Sequence, residues 1–306
     1  MTSPLRPFAE DRARVVTRLL RPGRGRDAPR MLALHGLASS AAAWDDLAAQ
    51  VDGDWALWAA ELPWGTGSGS LGWAQDPNVG SWVARALDAV PGGADVVVAH
   101  SFAASALLSY LDQAVPERAG PERAGPGQAG PEQAVPERAV PSGIVLVSPF
   151  YRASAEQFDW ETISYYFNGF ARILADGIRV RAGGRLDPRM REDIALRVQD
   201  LVGPYGWIRF FDTYLRTPGL RVDRIGAPCL VVAGERDFAA PPADARALAA
   251  ALPDARLHII PDCGHFPATE RAESFGALVN EFLMKITDMG AICDEHRTAN
   301  RDEGAA

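Results

Sequence analysis

The chain has 306 residues, of which 47% are hydrophobic and 23% charged, and its formal net charge is −8. This balance predicts a soluble globular protein with a sizeable core, and its acidity argues against a nucleic-acid partner. The three cysteines are too few, and odd in number, for a disulfide framework. Because neither a secretory leader nor a run of 18 apolar residues is found, we expect a cytoplasmic protein without a membrane span.

Short, nearly continuous apolar runs alternate with helical patterns along most of the chain. The runs predict strands over 30–35, 55–62, 95–100, 143–147, 228–233 and 255–260. The helical patterns cover 42–51, 80–90, 102–113, 242–252 and 271–289. Apolar runs of this kind suit parallel strands that are buried on both faces. The alternation therefore predicts an α/β fold, a mostly parallel sheet with helices on both faces.

A proline-rich pentapeptide repeat interrupts this alternation over 114–141, where a proline recurs every fifth residue from Pro116 to Pro141. Each proline removes a hydrogen-bond donor and clashes with the preceding turn, so the segment cannot form a continuous helix. Its apolar residues are only alanine and valine, which cannot build a core. The repeat is either a spacer that docks elsewhere or a passive surface insertion. It leaves the helix that follows Ser101 at the end remote from this serine, which favours the passive insertion.

A second interruption, over 151–222, has helical patterns throughout and holds twelve of the 26 aromatic residues of the chain. Ser154 and Gln157 form a capping-box pattern, and Asp187 followed by Pro188 is typical of a helix start. An all-helical, aromatic-rich insert between two strands predicts a cap over the carboxyl edge of the sheet. Most of these aromatic side chains would pack within the cap, and a few would form an apolar wall for the substrate.

Ser101 is the strongest candidate for a nucleophile. It follows the predicted strand 95–100 directly, and a helical pattern begins at the next residue. A serine at such a sharp strand-to-helix turn is exposed at the edge of the sheet, beside the positive end of a helix. Ala99 and Ala103 leave room for the close approach of strand and helix. A serine after a strand can also be a simple helix cap, so the assignment depends on the partners of Ser101.

A serine hydroxyl needs a general base, and the base needs an acid that orients it. Of the five histidines, His265 lies in a loop between the last strand and the last helix, where it can reach Ser101. Asp237 follows the predicted strand 228–233 at the same edge. The chain order Ser101, Asp237, His265 is the order of an α/β-hydrolase triad.

The same edge of the sheet offers two main-chain donors for a developing oxyanion. Gly36 permits a tight turn after the first predicted strand, so that the Leu37 N–H can face the pocket. The second donor is the N–H of Phe102, directly after Ser101. Together they predict an oxyanion hole formed by Leu37 and Phe102.

These residues resemble those of the α/β-hydrolase fold family, in its serine-nucleophile, cap-bearing, esterase-like branch. The resemblance covers 30–113 and 142–289, and it implies that Ser101, Asp237 and His265 are the nucleophile, acid and base. The elbow departs from the family's G-x-S-x-G pattern, because alanine stands at both glycine positions. The matching motifs are LHGLASSAAAW (34–44), ELPWGTGSGS (61–70), VVVAHSFAAS (96–105), GIVLVSPF (143–150), APCLVVAGERD (227–237) and PDCGHFPATERAESF (261–275).

The predicted organisation is a hydrolase core over 1–150 and 223–289, a helical cap over 151–222 and a disordered tail over 290–306. The expected activity is hydrolysis of a carboxylic ester or thioester through an acyl-enzyme, on a small-molecule substrate with an apolar portion. The alternatives are a lyase or acyltransferase reaction on the same fold, that is elimination, carbon–carbon cleavage or acyl transfer, and a binding protein without turnover. The glycine-rich pattern at 67–72 does not open a long helix, so we expect no dinucleotide, and we expect no metal or other cofactor.

Overall fold

The computed structural model describes residues 15–66, 72–114, 140–183 and 185–303, with side chains described as far as Met289. The pentapeptide repeat at 115–139 and most of the glycine-rich pattern, at 67–71, lie outside the described residues, so the role of the repeat stays a prediction. The strands are β1 (Val16–Arg21), β2 (Arg30–Leu34), β3 (Ala56–Glu61), β4 (Val96–His100), β5 (Gly143–Val147), β6 (Cys229–Gly234) and β7 (Ala255–Ile260).

Within the described residues the strands form one sheet in the order β1-β3-β2-β4-β5-β6-β7. The pairs from β3 to β7 are all parallel, as their apolar composition predicts. The six predicted strands are confirmed to within one residue at either end. β1 was not predicted, and it pairs antiparallel with β3 at the edge of the sheet.

Helices cover both faces of the sheet, and they divide the core into two apolar clusters. Alternate residues of β2 point to opposite faces because the side-chain period of a strand is two. Leu34 belongs to the cluster that holds Val83 and Leu107, whereas Met31 belongs to the cluster that holds Phe275. The helices are α1 (Asp45–Gln50), α2 (Gly72–Gln75), α3 (Gly80–Asp88), α4 (Phe102–Ala114), α5 (Trp160–Ala182), α6 (Pro188–Leu215), α7 (Pro242–Ala251), α8 (Pro267–Glu270) and α9 (Ala272–Glu303).

Two helix boundaries differ from the predictions. The helix predicted over 42–51 begins as a 3₁₀ turn, Ala41–Trp44, before α1. The helix predicted to end at 289 continues to Glu303, so the tail predicted as disordered over 290–306 is helical as far as that residue. No proline or glycine interrupts the chain between Gly290 and Gly304, which allows the helix to continue. Among the described residues, no helix has the length and apolar character that a membrane crossing needs.

The helical cap consists mainly of α5 and α6, which run between β5 and β6. Asp159 caps α5 by accepting a bond from the Thr162 N–H at 2.8 Å. Asp187 caps α6 as predicted, accepting from the N–H of Met190 at 3.0 Å. The capping-box pattern at Ser154 instead begins a 3₁₀ turn, Ala155–Gln157. The domain boundaries at 151 and 222 stay predictions.

Tyrosine side chains attach the cap to the core beside β6. The Tyr165 hydroxyl donates to the Phe238 carbonyl at 2.6 Å, and the Tyr166 hydroxyl donates to the Ala239 carbonyl at 3.0 Å. Tyr214 of α6 donates to the carboxylate of Asp244 at 2.6 Å. These bonds join both cap helices to the segment of chain that follows β6.

Candidate active site

Ser101 lies at the sharp turn between β4 and α4, as the sequence predicts. Its φ of 58° is in the left-handed region, which few residues other than glycine adopt. The Ser101 N–H donates to the Val147 carbonyl at 2.8 Å, and this bond to the neighbouring strand fixes the turn. Ala99 and Ala103 are fully buried on either side. A side chain held in this way is aimed out of the sheet edge rather than into the core.

Ser101, His265 and Asp237 form a continuous hydrogen-bonded chain. His265 Nε2 lies 3.0 Å from Ser101 Oγ, and His265 Nδ1 lies 2.8 Å from Asp237 Oδ2. All three residues are buried. A carboxylate only accepts, so Nδ1 carries the proton and Nε2 is free to accept the proton of the serine.

The second oxygen of Asp237 is held by the main chain. Asp237 Oδ1 accepts from the Ala239 N–H at 2.9 Å and from the Ala240 N–H at 2.8 Å. Both oxygens of this buried carboxylate therefore have hydrogen-bond partners. The carboxylate cannot turn away from His265 without breaking these two bonds.

The loop that follows β2 lies directly against the serine. A Cβ on Gly36 would come within 3.0 Å of Ser101 Cβ and 3.1 Å of His100 Nδ1, so glycine is required for this approach. Ala38 has a φ of 56°, and its N–H donates to the Trp64 carbonyl at 2.9 Å. The turn brings Leu37 to the wall of the same cavity as Ser101.

Leu37 and Phe102 keep their main-chain donors available. Among the described residues, neither N–H has a hydrogen-bond acceptor. The side chain of Phe102 is fully buried, with its ring 5.0 Å from Trp64 and 5.9 Å from Phe210 of the cap. The two N–H groups have the positions in the chain that an oxyanion hole needs, and that role stays a prediction.

Two further histidines, His35 and His100, lie beside the site and are fully buried. Burial lowers the pKa of His35 to about 4 and that of His100 to about 3. Both are therefore neutral near pH 7. The His35 ring accepts from the Leu62 N–H at 3.0 Å and bonds the Gly36 carbonyl at 2.9 Å, which supports the loop that carries Leu37.

A cavity of about 150 Å³ lies between the sheet edge and the cap. Ser101 and His265 are at its floor, and Phe150, Phe210 and Phe266 are among the apolar side chains around them. One face of α5 forms much of the cap-side wall. The α5 residues in this wall are Phe170, Ile173, Leu174, Gly177, Ile178 and Arg181.

Of the cap arginines in the sequence, one lines the cavity. Arg181 has no ion-pair partner among the described residues, although Asp45 and Glu61 act on it at longer range. Arg185 instead donates to the Ala182 carbonyl, and Arg209 donates to the Ala74 carbonyl. Arg181 is thus the one arginine or lysine of the described wall, which is otherwise mostly apolar.

The sequence did not indicate the contacts of His100 and Glu270 around the base. His100 Nε2 bonds the His265 carbonyl at 2.8 Å, and Glu270 accepts from the N–H groups on either side of His265. His100 is recognisable in the sequence only as the neighbour of the serine. Glu270 has no sequence signal beyond its place at the start of a helical pattern.

A family model described as the alpha/beta hydrolase family matches residues 31–278. A curated relative, 2-hydroxy-6-oxononadienedioate/2-hydroxy-6-oxononatrienedioate hydrolase 2 of Pseudomonas putida, is 40% identical over 65 residues. That match spans 21% of this chain and only 23% of the relative.

Two solved structures share the fold over most of their length. A thermophilic esterase from Thermogutta terrifontis superposes with a TM-score of 0.54 at 16% identity, covering 89% of this chain and 93% of the esterase. A meta-cleavage product hydrolase from Pseudomonas fluorescens IP01 gives a TM-score of 0.58 at 16% identity, covering 89% and 95%. At this identity the likeness concerns the fold alone.

Proposed function

Because the chain belongs to the alpha/beta hydrolase family, we propose that it is a serine hydrolase that cleaves a carboxylic ester or thioester. The observation that carries this proposal is the hydrogen-bonded chain from Asp237 through His265 to Ser101, at the floor of a cavity. A protein that only binds its ligand has no need of a serine, histidine and aspartate in this arrangement.

In the proposed first step Ser101 Oγ attacks the carbonyl carbon of the substrate while its proton passes to His265 Nε2. Asp237 holds the Nδ1–H tautomer and stabilises the imidazolium that forms. His265 then returns the proton to the leaving alcohol or thiol, which leaves an acyl group on Ser101. Water activated by His265 attacks this acyl-enzyme, releasing the acid and restoring the serine.

The negative charge that develops on the carbonyl oxygen needs fixed donors. The N–H groups of Leu37 and Phe102 fit this role because they have no other acceptor among the described residues. A donor already in place costs no reorganisation when the charge forms, and one such donor is worth about 10²–10³-fold in rate.

Labelling with a fluorophosphonate probe tests the proposal, because the probe reacts with activated serines and needs no knowledge of the substrate. The wild type should be labelled at Ser101, and labelling should vanish in Ser101→Ala. Ser39→Ala is the matched control, since Ser39 lines the same cavity without a histidine partner, and it should be labelled like the wild type. A folded wild type that takes no label contradicts the proposal.

A second candidate reaction is hydrolysis of a carbon–carbon bond, which the curated relatives favour. They are hydrolases of 2-hydroxy-6-oxo acids, and these names contain a ketone and a carboxylate but no ester. The same triad and oxyanion donors can serve such a reaction, as they can a lyase or an acyltransferase. Incubation in ¹⁸O-water separates hydrolysis of either bond, which places the label in an acid product, from elimination or transfer to another acceptor, which does not. The second product then separates the two hydrolyses, because an ester or thioester releases an alcohol or thiol and a carbon–carbon bond does not.

Arg181 supports a substrate that carries an anionic group in addition to the scissile carbonyl. Arg181→Leu should raise KM about tenfold for the p-nitrophenyl ester of glutaric acid, which corresponds to about 1.4 kcal/mol of lost binding. KM for the neutral p-nitrophenyl valerate should not change. Arg185→Leu is the control, because Arg185 does not line the cavity. Equal effects of Arg181→Leu on both esters would exclude a role in charge recognition.

A further inference from the structure

The main chain of His265 lies in a loop outside regular secondary structure, between β7 and α8. Its side chain bonds Ser101 and Asp237, but the bond to Ser101 must break when the proton is transferred. A base on such a loop needs anchors that do not take part in the proton transfers, because a displacement of 1 Å can cost about 10²-fold in rate. Two side chains provide bonds of this kind.

Glu270, the last residue of α8, bonds to both sides of His265. Its Oε2 accepts from the Gly264 N–H at 3.1 Å, and its Oε1 accepts from the Phe266 N–H at 3.0 Å. Each oxygen of the carboxylate thus holds one of the two residues that flank His265. Such charge-assisted bonds are stronger than those between neutral groups.

His100 holds a third main-chain group, the carbonyl of His265. This carbonyl can only accept, so His100 Nε2 carries the proton and donates at 2.8 Å. The ring is enclosed by Trp44, at a centroid distance of 6.5 Å, and by Phe266 at 5.5 Å. Burial lowers the pKa of His100 to about 3, so the ring is neutral near pH 7, and its bond to the His265 carbonyl fixes the tautomer.

The bond from His100 to the His265 carbonyl links the His265 loop to the strand that ends beside Ser101. His100 is the last residue of β4 and the direct neighbour of Ser101. The strand end that carries the nucleophile therefore also carries the donor that holds the base. The distance between Ser101 and His265 is set through the main chain as well as through the bond between their side chains.

We infer that His100 and Glu270 are positioning residues that together hold the main chain of His265 at a fixed distance from Ser101. This inference rests on the proposed function, since it assigns to both residues an effect on the serine hydrolase reaction. Neither residue donates or accepts a proton in that reaction. Their loss should lower kcat and leave KM nearly unchanged.

Two pairs of variants test the inference, with p-nitrophenyl butyrate as substrate and the fluorophosphonate probe for labelling rate. His100→Phe removes the donor, whereas His100→Gln retains an N–H near the position of Nε2. Glu270→Gln replaces one acceptor oxygen with a donor that opposes an N–H group, and Glu273→Gln is its control because Glu273 is exposed on the next helix. We expect kcat and labelling rate to fall about 10²-fold in His100→Phe and Glu270→Gln. His100→Gln should recover most of the loss, and Glu273→Gln should match the wild type.

The inference is overturned if the wild type is labelled while folded His100→Phe and Glu270→Gln are labelled at the same rate. It is also overturned if His100→Gln is as slow as His100→Phe, because the donor would then be irrelevant. Should His100→Phe not fold, Glu270→Gln carries the test. A wild type that takes no label contradicts the proposed function instead. In that case, hydrogen exchange at the Gly264 and Phe266 amides tests the role of Glu270. Exchange should be faster in Glu270→Gln than in the wild type, and an unchanged rate would mean that Glu270 does not hold the loop.

Discussion

Replacing Asp237 with asparagine should lower kcat about 10⁴-fold while the protein stays folded. The asparagine oxygen can still accept from the Ala239 and Ala240 N–H groups, which leaves its amide NH₂ facing His265 Nδ1. That NH₂ donates, so His265 must place its proton on Nε2 and can no longer accept the proton of Ser101. The wrong tautomer at this position typically costs about 10⁴-fold in kcat.

Steady-state rates with p-nitrophenyl butyrate check this expectation, together with thermal unfolding of the same samples. Asp223→Asn is a matched control, because Asp223 is exposed and lies apart from the hydrogen-bonded chain. The unfolding temperatures of both variants should stay near that of the wild type. If Asp237→Asn keeps kcat within tenfold of the wild type, Asp237 does not orient His265 in the reaction.

The parallel part of the sheet could be predicted because its strands are marked by local composition. β2 and β4 are short apolar runs whose apolar residues all pack into one of two cores. β1 carries arginines at both ends of its leucine pair and has one pairing partner, β3. Its extended conformation depends on that pairing rather than on its own composition, and for this reason the sequence did not predict β1. The kink in α6 at Gly203, with φ 66°, was signalled by the following Pro204 but was not predicted.

The site shows a similar division between local and tertiary signals. Ser101, Asp237 and His265 each follow a predicted strand, so the parallel sheet required all three to lie at one edge, where the structure brings them together. The contacts of Glu270 and His100 with the His265 loop depend on side-chain directions that no spacing rule contains. Arg181 was one of several cap arginines in the sequence, and only the packing of α5 over the cavity distinguishes it from the others.

Gly234 lies at a close approach between the end of β6, which precedes Asp237, and the loop that carries His265. It ends β6, and a Cβ at this position would overlap the carbonyl oxygens of Gly264 and Cys263. Both atoms belong to the main chain, so no side chain can turn aside to make room. The neighbouring bond from the Arg236 N–H to the Cys263 carbonyl, 2.8 Å long, ties the same two segments together. A methyl group must therefore push β6 and the His265 loop apart.

Gly234→Ala should lower the free energy of unfolding by about 3 kcal/mol, at the upper end of the usual cost of overpacking a core. It should also lower kcat about 10²-fold, because the displaced loop carries His265 away from Asp237 and Ser101. Urea denaturation and steady-state rates measure the two effects. Gly226→Ala is the control, since a Cβ at Gly226 meets nothing within 4 Å, and it should change stability by less than about 0.5 kcal/mol. A Gly234→Ala protein as stable and as active as Gly226→Ala would mean that the contact between the two loops is not needed to hold the base in place.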